Sequence, residues 1–364
     1  MRSWLELSRE HLLHNLKGVR TLVGQAQIMA IVKANAYGAG AVEVARTLSR
    51  DGVQAFGVAN VLEGIELRAG GIKGTILCLT YLMQDEVDAL FEYDLTPSIF
   101  TLDTARLLEE RGRARNRRMR VWIKIDTGLG RIGVPFQVAQ EFIQQVAQET
   151  HLEIAGLFST LTENPGRDPV QVQRLVSVRQ ATGQLDAKLS LASSNGILSL
   201  PASYLDIVRP GTMLLGFEPS ERERLDIALV RQADLEPIAT WKTRVGYFKT
   251  VPRGEQVGYG SRAPLAQDTP VATLMVGWAD GYPSAMSSGG YVLIQGRRCP
   301  IIAVSANSTM VNVTGLPGVA IGDEVVLLGK QGSEEVAAAE MAHATGGVYR
   351  LLVGIPREVP RIWS

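Results

Sequence analysis

Cysteine, histidine and net charge are what this sequence has least of. Its 364 residues include two cysteines and four histidines, and 37 basic side chains balance 37 acidic ones. Two cysteines cannot build a disulfide framework. Cys78 in TILCLT and Cys299 in RRCPII form no Cys-x-x-Cys pair and stand beside no histidine, so no metal is expected and both read as free thiols in a reducing compartment. A formal charge of zero leaves no long-range field to draw the whole molecule to nucleic acid or an anionic membrane, and neither is expected as a partner. No apolar run reaches the ~18 residues of a membrane span. The opening MRSWLELSRE carries charges where a signal peptide needs an apolar core, so the expected location is cytoplasmic.

Apolar residues are plentiful, at 46% of the chain, with glycine and proline spread throughout, enough for two domains with a core each. IMAIV (28–32), AFGVA (55–59), TILCL (75–79), TPSIF (96–100), RVWIKI (120–125), IAGLFS (154–159), KLSLA (188–192) and LDIV (205–208) read as buried strands. Between them, AVEVARTLSRDG, LDTARLLEERGRA and PFQVAQEFIQQVAQET repeat apolar residues at three- and four-residue spacing, as helices require. This α/β alternation predicts a (β/α)8 TIM-like barrel over residues 1–230, with a doubly wound open sheet as the alternative.

Beyond residue 230 the segments TWKTRVGYFKTV, TPVATLMVG, GYVLIQG, CPIIAVS, TMVNVT and DEVVLLG are short, β-rich and separated by Gly, Pro, Asp or Asn. They predict a C-terminal, mostly β domain over 231–364, with residues 1–7 open to pairing with it. One charge run, RGRARNRRMR (111–120), holds six arginines. It reads either as a phosphate-binding patch or, more plainly, as a solvated helix C-terminus at the end of the barrel opposite an active face.

Five strand-type residues, Ile28 to Val32, run straight into Lys33. In an α/β barrel the C-terminal strand ends gather the reactive groups, which makes Lys33 a candidate Schiff-base lysine. On spacing alone a lysine snorkelling from the barrel rim is the plainer reading. The neighbouring residues shift that balance. VKANAYGAG (32–40) resembles the cofactor-lysine signature of alanine racemases, fold-type III enzymes that use pyridoxal 5′-phosphate. The resemblance recurs in order through IKIDTGLGRIGV (123–134), SLASSNGILSLP (190–201), DIVRPG (206–211), VGYGSR (257–262), VGWADGYP (276–283) and GVYRLLVGIPREVPRIW (347–363).

That resemblance implies a role for each matching position. Lys33 would carry the cofactor and serve as one of two acid/base groups, with Tyr259 as the other, since racemisation requires proton exchange on both faces of a planar carbanion. Tyr37, Ser194, Tyr349 and the amides of Gly211 and Thr212 would hold the phosphate, as hydroxyls and glycine-adjacent amides can. Arg209 would face the pyridine nitrogen and, unable to hand over its proton, keep that nitrogen unprotonated. Arg131 would meet the cofactor's phenolic oxygen and the substrate carboxylate. Lys124 would support Arg131 and is open to carbamylation, which turns a like charge into a partner. Tyr259 would reach the site from a second subunit, implying a homodimer with shared active sites. Taken singly, the phosphate ligands are ordinary loop residues, Arg209 a rim ion pair and Tyr259 a buried β-domain tyrosine.

Several positions depart from the family pattern. Thr-His-Phe is replaced by Ser159-Thr160-Leu161, and a histidine before the phosphate serine by Ser190. Those histidines link the catalytic tyrosine to the pyridine-facing arginine, and an unassisted phenol is a sluggish base near neutrality. Ala306-Asn307 stands for Met-Asp, Trp278 for a tyrosine at the substrate entrance, and Ala39 for the histidine of the glycine-flanked turn. The expected function is pyridoxal-phosphate-dependent racemisation of an amino acid, L-alanine to D-alanine first. A racemase or epimerase of a larger or polar amino acid, a lyase or decarboxylase on the same plan, and a non-catalytic pyridoxal-phosphate carrier are the alternatives.

Overall fold

The computed structural model describes residues 1–183, 186–218, 224–260 and 263–364, so Ser261 and Arg262 of the VGYGSR stretch lie outside the described residues. Two compact units emerge. One comprises Leu12–Ala36 and Gly40–Leu235, the other Met1–His11, Tyr37–Ala39 and Glu236–Ser364.

In chain order the strands are β1 (Ser3–Leu7), β2 (Gln27–Ile31), β3 (Ala55–Val58), β4 (Thr75–Cys78), β5 (Thr96–Ile99), β6 (Met119–Asp126), β7 (Val134–Pro135), β8 (Leu152–Phe158), β9 (Lys188–Ser193) and β10 (Ile207–Arg209). They continue with β11 (Ala239–Val251), β12 (Thr269–Leu274), β13 (Tyr291–Ile294), β14 (Arg297–Val304), β15 (Thr309–Asn312), β16 (Glu324–Gln331), β17 (Glu334–Val336) and β18 (Arg361–Trp363).

The first unit is a parallel barrel in the order β5-β4-β3-β2-β10-β9-β8-β6. The ring closes where Ser98 and Ile99 of β5 pair with Trp122 and Ile123 of β6, which excludes the open-sheet alternative. Its strands are apolar along their length because parallel strands are covered on both faces. Met29, Phe56, Ile76, Ile99, Val121 and Leu189 are all buried. Gly156 makes room for one large residue: a Cβ there would lie 2.6 Å from the Trp122 ring. Trp122 in turn packs edge-on against Phe158, with ring centroids 6.2 Å apart.

The second unit is antiparallel around the long strand β11, which pairs with β1, β12 and β16. β1 also pairs in parallel with β18, so both ends of the chain enter the same sheet. Trp241 and Tyr282 stack edge to face in its core, 5.6 Å between centroids. Among the described residues no helix is long and apolar enough to cross a membrane.

The arginine run ends the helix Leu102–Ala114. Arg111 and Arg115 face Asp88, Arg113 faces Glu109 and Arg117 faces Asp94. Glu109 is the buried member of this set. Burial pushes its carboxyl up, but hydrogen bonds from the His151 ring and amide, Arg113 and Thr150 outweigh that and hold it down at about 2. An unfolded glutamate titrates near 4.3, so this carboxylate contributes stability that is complete above about pH 4.5 and is lost as the pH falls toward 2. Glu109→Gln should therefore flatten the decline in melting temperature between about pH 4.5 and 2.5. An acid limb of unchanged steepness in calorimetry would assign it to other carboxylates.

Candidate active site

Directly after β2 the chain turns left-handed. Ala34, Asn35, Ala36 and Tyr37 have φ of 51°, 56°, 49° and 52°, a turn built without glycine. L-residues resist this conformation by ~1–2 kcal/mol each, so the turn needs external support. Asn35, whose side chain can bond locally, is the residue of the four that tolerates it best. Asn35 accepts the amide of Ala41 on its side chain at 2.9 Å, and Ala36 donates to Val32 O at 2.8 Å. Glu63 supplies the rest: one carboxylate oxygen accepts the Ala34 amide at 2.8 Å and the other the Ala59 amide at 2.7 Å. Glu63 thus ties the residue after Lys33 to the end of β3.

The sequence reading missed Glu63, although Asn60-x-x-Glu63 before an apolar run is a helix-start signature, and Asn60 does cap the helix Val61–Ala69 by accepting the Glu63 amide. Glu63→Gln offers one acceptor where two amides each need one. It should cost about 1–3 kcal/mol and weaken cofactor binding. Spectrophotometric titration with pyridoxal phosphate, run beside thermal melting, checks this, and unchanged cofactor affinity would mean the turn holds without the carboxylate.

Lys33 sits among cations. Burial, then Arg131 and Arg209, lower its pKa, and Glu63 opposes them. Lys124, buried on β6, is lowered to about 7 by burial and then by Arg209, Arg131 and Lys33, against Asp126. Its ammonium lies 4.5 Å from the centre of the Phe158 ring and 3.3 Å from Thr160 Oγ1. Near neutral pH a substantial fraction of Lys124 is therefore the free amine. Arg131 is exposed on a loop folded around Asp126, whose carboxylate accepts the Gly128 amide at 2.9 Å and the Gly130 amide at 3.1 Å.

Arg209 ends β10 and is buried, which lowers its pKa to about 10 and leaves it charged at neutrality. No carboxylate among the described residues pairs with it. It donates to Ser190 Oγ at 2.5 Å and to the carbonyls of Ser159 and Leu191 at 2.5 and 3.3 Å. Ser190 Oγ donates a hydrogen bond to Ile207 O at 2.6 Å, leaving its lone pairs to accept from the arginine. Behind Ser159 the polar chain continues through Thr127 Oγ1 at 2.7 Å to Gln171 Nε2 at 3.0 Å. The two positions where the family pattern carries histidine thus hold Thr160 and Ser190; Ser190 braces Arg209 by its hydroxyl and Ser159, next to Thr160, by its carbonyl, and Ser190, Ser159, Thr127 and Gln171 do not titrate in the physiological range. Thr127, Phe158 and Gln171 carried no sequence signal, because ordinary core and helix positions look the same.

Three further residues converge at neighbouring strand ends. Ser194 follows β9, and its hydroxyl accepts the amides of Gly211 at 2.9 Å and Met213 at 3.4 Å. Gly211 and Thr212 follow β10, and Pro210 O accepts the Ile31 amide at 2.8 Å, joining that end to the strand that precedes Lys33. The Thr212 hydroxyl is buried with no hydrogen-bond partner among the described residues. A buried orphan hydroxyl costs free energy unless something meets it. Beside serine and glycine-adjacent amides, and with cationic Arg209 three residues before it at the end of β10, it suits an anionic phosphate. The residues present fit pyridoxal phosphate.

The β unit presents the other predicted positions. Tyr37 and Tyr349 have ring centroids 6.1 Å apart. Tyr259 is 83% exposed, carried between Gly258 and Gly260 at φ 87° and 79°. Val257 anchors that loop by packing with Val251 and Val271. Trp278, also exposed, donates its amide to Ser305 O at 3.0 Å, and Ala279 donates to Ala306 O at 2.9 Å. Gly277 permits this approach, since a Cβ there would lie 2.4 Å from Ala306 O. Trp278 and Ala306 are therefore neighbours.

Comparison with known proteins identifies the family. The alanine racemase N-terminal domain family matches residues 7–219 and the alanine racemase C-terminal domain family residues 238–363. The alanine racemase of Carboxydothermus hydrogenoformans is 38% identical over 369 residues, covering 99% of each chain. The crystal structure of alanine racemase from D-cycloserine-producing Streptomyces lavendulae superposes with a TM-score of 0.92 at 28% identity, covering 100% of this chain and 97% of that one. A histidine racemase from Leuconostoc mesenteroides superposes with a TM-score of 0.87 at 25% identity, covering 100% and 98%. Matched in order by both domain families over most of its length, this chain belongs to the alanine racemase family.

Proposed function

We propose that this protein interconverts L- and D-alanine with pyridoxal 5′-phosphate, the cofactor on which the family depends, using Lys33 and Tyr259 as its two proton-transfer groups. The observation that carries the reading is Lys33 itself: a half-buried amine at the C-terminal end of a barrel strand, with Arg131 and Arg209 favouring its neutral form. When bound, the cofactor supplies an electron sink that acidifies the substrate Cα–H.

The chain's own residues do the rest. Lys33 takes or returns the proton on one face of Cα. Tyr259 serves the opposite face, and its exposure suits a phenol that works outside its own β unit. We place it in the site of a second copy, so that a homodimer has two shared sites, and we place the enzyme in the cytoplasm. Ser194, Gly211, Thr212, Tyr37 and Tyr349 hold the phosphate. Arg209, pinned by Ser190 and the Ser159 carbonyl, would face the cofactor's ring nitrogen and, unable to hand over its proton, would leave it unprotonated. Arg131 pairs with the substrate carboxylate, and Trp278 and Ala306 line its approach. The Lys124 amine, free in part near neutrality, adds to carbon dioxide with loss of a proton. The resulting carbamate would offset three neighbouring cations, and uptake of isotopically labelled bicarbonate tests it.

The deciding experiment gives the cofactor-loaded enzyme a panel of single-enantiomer amino acids in heavy water, with α-proton exchange and enantiomer composition followed together. Exchange with inversion, fastest for alanine, is expected. Inversion confined to larger amino acids would move the substrate to the size class that the smaller Ala306 could admit. A bound cofactor with no exchange would leave a carrier protein.

A further inference from the structure

At the opposite end of the barrel from Lys33, among the first residues of its strands, lies a cavity of about 1310 Å³. Usual small-molecule sites occupy about 300–1,000 Å³, so an organic ligand of nucleotide size fits. Its base is apolar, formed by the buried Met29, Leu95, Met119, Trp122 and Ile207. Its rim is cationic to a degree that the overall neutrality of the chain does not suggest. Some of that charge is compensated locally: Arg20 pairs with Asp51, Arg46 with Glu43, Arg120 with Glu153, and Arg68 and Arg117 share Asp94. Arg50, Lys73, Arg118 and Lys188 also line the cavity and have no carboxylate partner among the described residues. All four are exposed. They stand at the entrances of different strands, Lys73 just before β4, Arg118 just before β6 and Lys188 as the first residue of β9, so their charges converge from several sides. A concave wall of low dielectric focuses such a field on whatever enters.

We propose that this floor cavity binds a polyanionic small molecule carrying two or more phosphate groups, held by Arg50, Lys73, Arg118 and Lys188. The uncompensated part of the arginine run, Arg118, belongs to this site, while Arg111, Arg113, Arg115 and Arg117 are consumed by ion pairs. The apolar base gives an organic body something to rest on.

The test uses the cofactor-loaded enzyme, so that the phosphate cradle at the other end is filled, and titrates tripolyphosphate and adenosine triphosphate by calorimetry at low and physiological salt. One site per chain is expected, weakening as salt rises. The double variant Arg118→Ser/Lys188→Ser should bind about tenfold or more weakly while its racemisation rate without added ligand stays unchanged. Arg50→Ser/Lys73→Ser should behave alike. Equal affinity for the two probes would identify the phosphates as the whole ligand, and tighter binding of the nucleotide would add its organic body. Undiminished binding in both double variants overturns the proposal. So does a single-stranded oligonucleotide that outcompetes both probes, which would assign the face to nucleic acid.

Discussion

Lys33→Ala should lose at least about 10⁴-fold in racemisation, because one substitution removes both a proton-transfer group and the covalent anchor. The fold should survive. The backbone beside Lys33 is held by Glu63 and Asn35 rather than by the lysine side chain, so melting of the apoprotein should change little. Loss of a lysine from a cationic cluster even relieves repulsion, since Arg131 and Arg209 both act against its charge. The observation that would sink the assignment is residual turnover above a few per cent of wild type together with normal cofactor loading. Lys124, though lowered to about 7, is buried against Phe158 and should not substitute.

Tyr259→Phe should lose about 10²–10⁴-fold in inversion, the usual contribution of a positioned acid or base. The loss should be one-sided. α-Proton exchange with retention continues from the enantiomer whose Cα–H faces Lys33, while exchange from the other enantiomer stops. Equal slowing of both would place Tyr259 in binding rather than proton transfer. Mixing the two variants tests the shared site directly. Equal amounts of Lys33→Ala and Tyr259→Phe chains, reassorted at random, give half heterodimers, each with one intact site of two, so activity should recover to about a quarter of wild type. If the mixture stays inactive although heterodimers form, Tyr259 serves the site of its own chain.

The absence of histidine behind Arg209 bears on both results. Ser190 and the Ser159 carbonyl hold the guanidinium by fixed acceptors, and the chain onward to Thr127 and Gln171 is neutral. Orientation is therefore preserved without a titrating relay. Lys124, lowered to about 7 by burial and then by Arg209, Arg131 and Lys33, is a group whose protonation changes near neutrality, and burial lowers Lys33 in the same direction.

The barrel strands and the β-rich half were legible in the residues themselves, because each depends on local pattern, whereas the role proposed for Lys33 came from the resemblance of its flanking residues, a rim lysine being the plainer reading on spacing alone. An apolar run of four to eight residues that ends on a lysine, helical spacing between such runs, and glycines either side of a tyrosine are all features a short window contains. The left-handed turn was not legible: nothing in ANAY reveals that four consecutive residues take positive φ.

What tertiary structure alone decided is partner choice across long stretches of chain. Glu63 reaches Ala34 from 29 residues away, Ser159 meets Arg209 across 50 positions, and β5 closes the ring on β6. A serine, a threonine or a glutamine in a sequence has many acceptors within reach of imagination. Strand order and register leave it one or two, and burial makes those obligatory because an unpaired polar group inside the barrel is too costly to keep. The same logic governs charge: the sequence by itself determined that cations and anions balance, and folding decided which arginines are neutralised and which are left facing an open cavity.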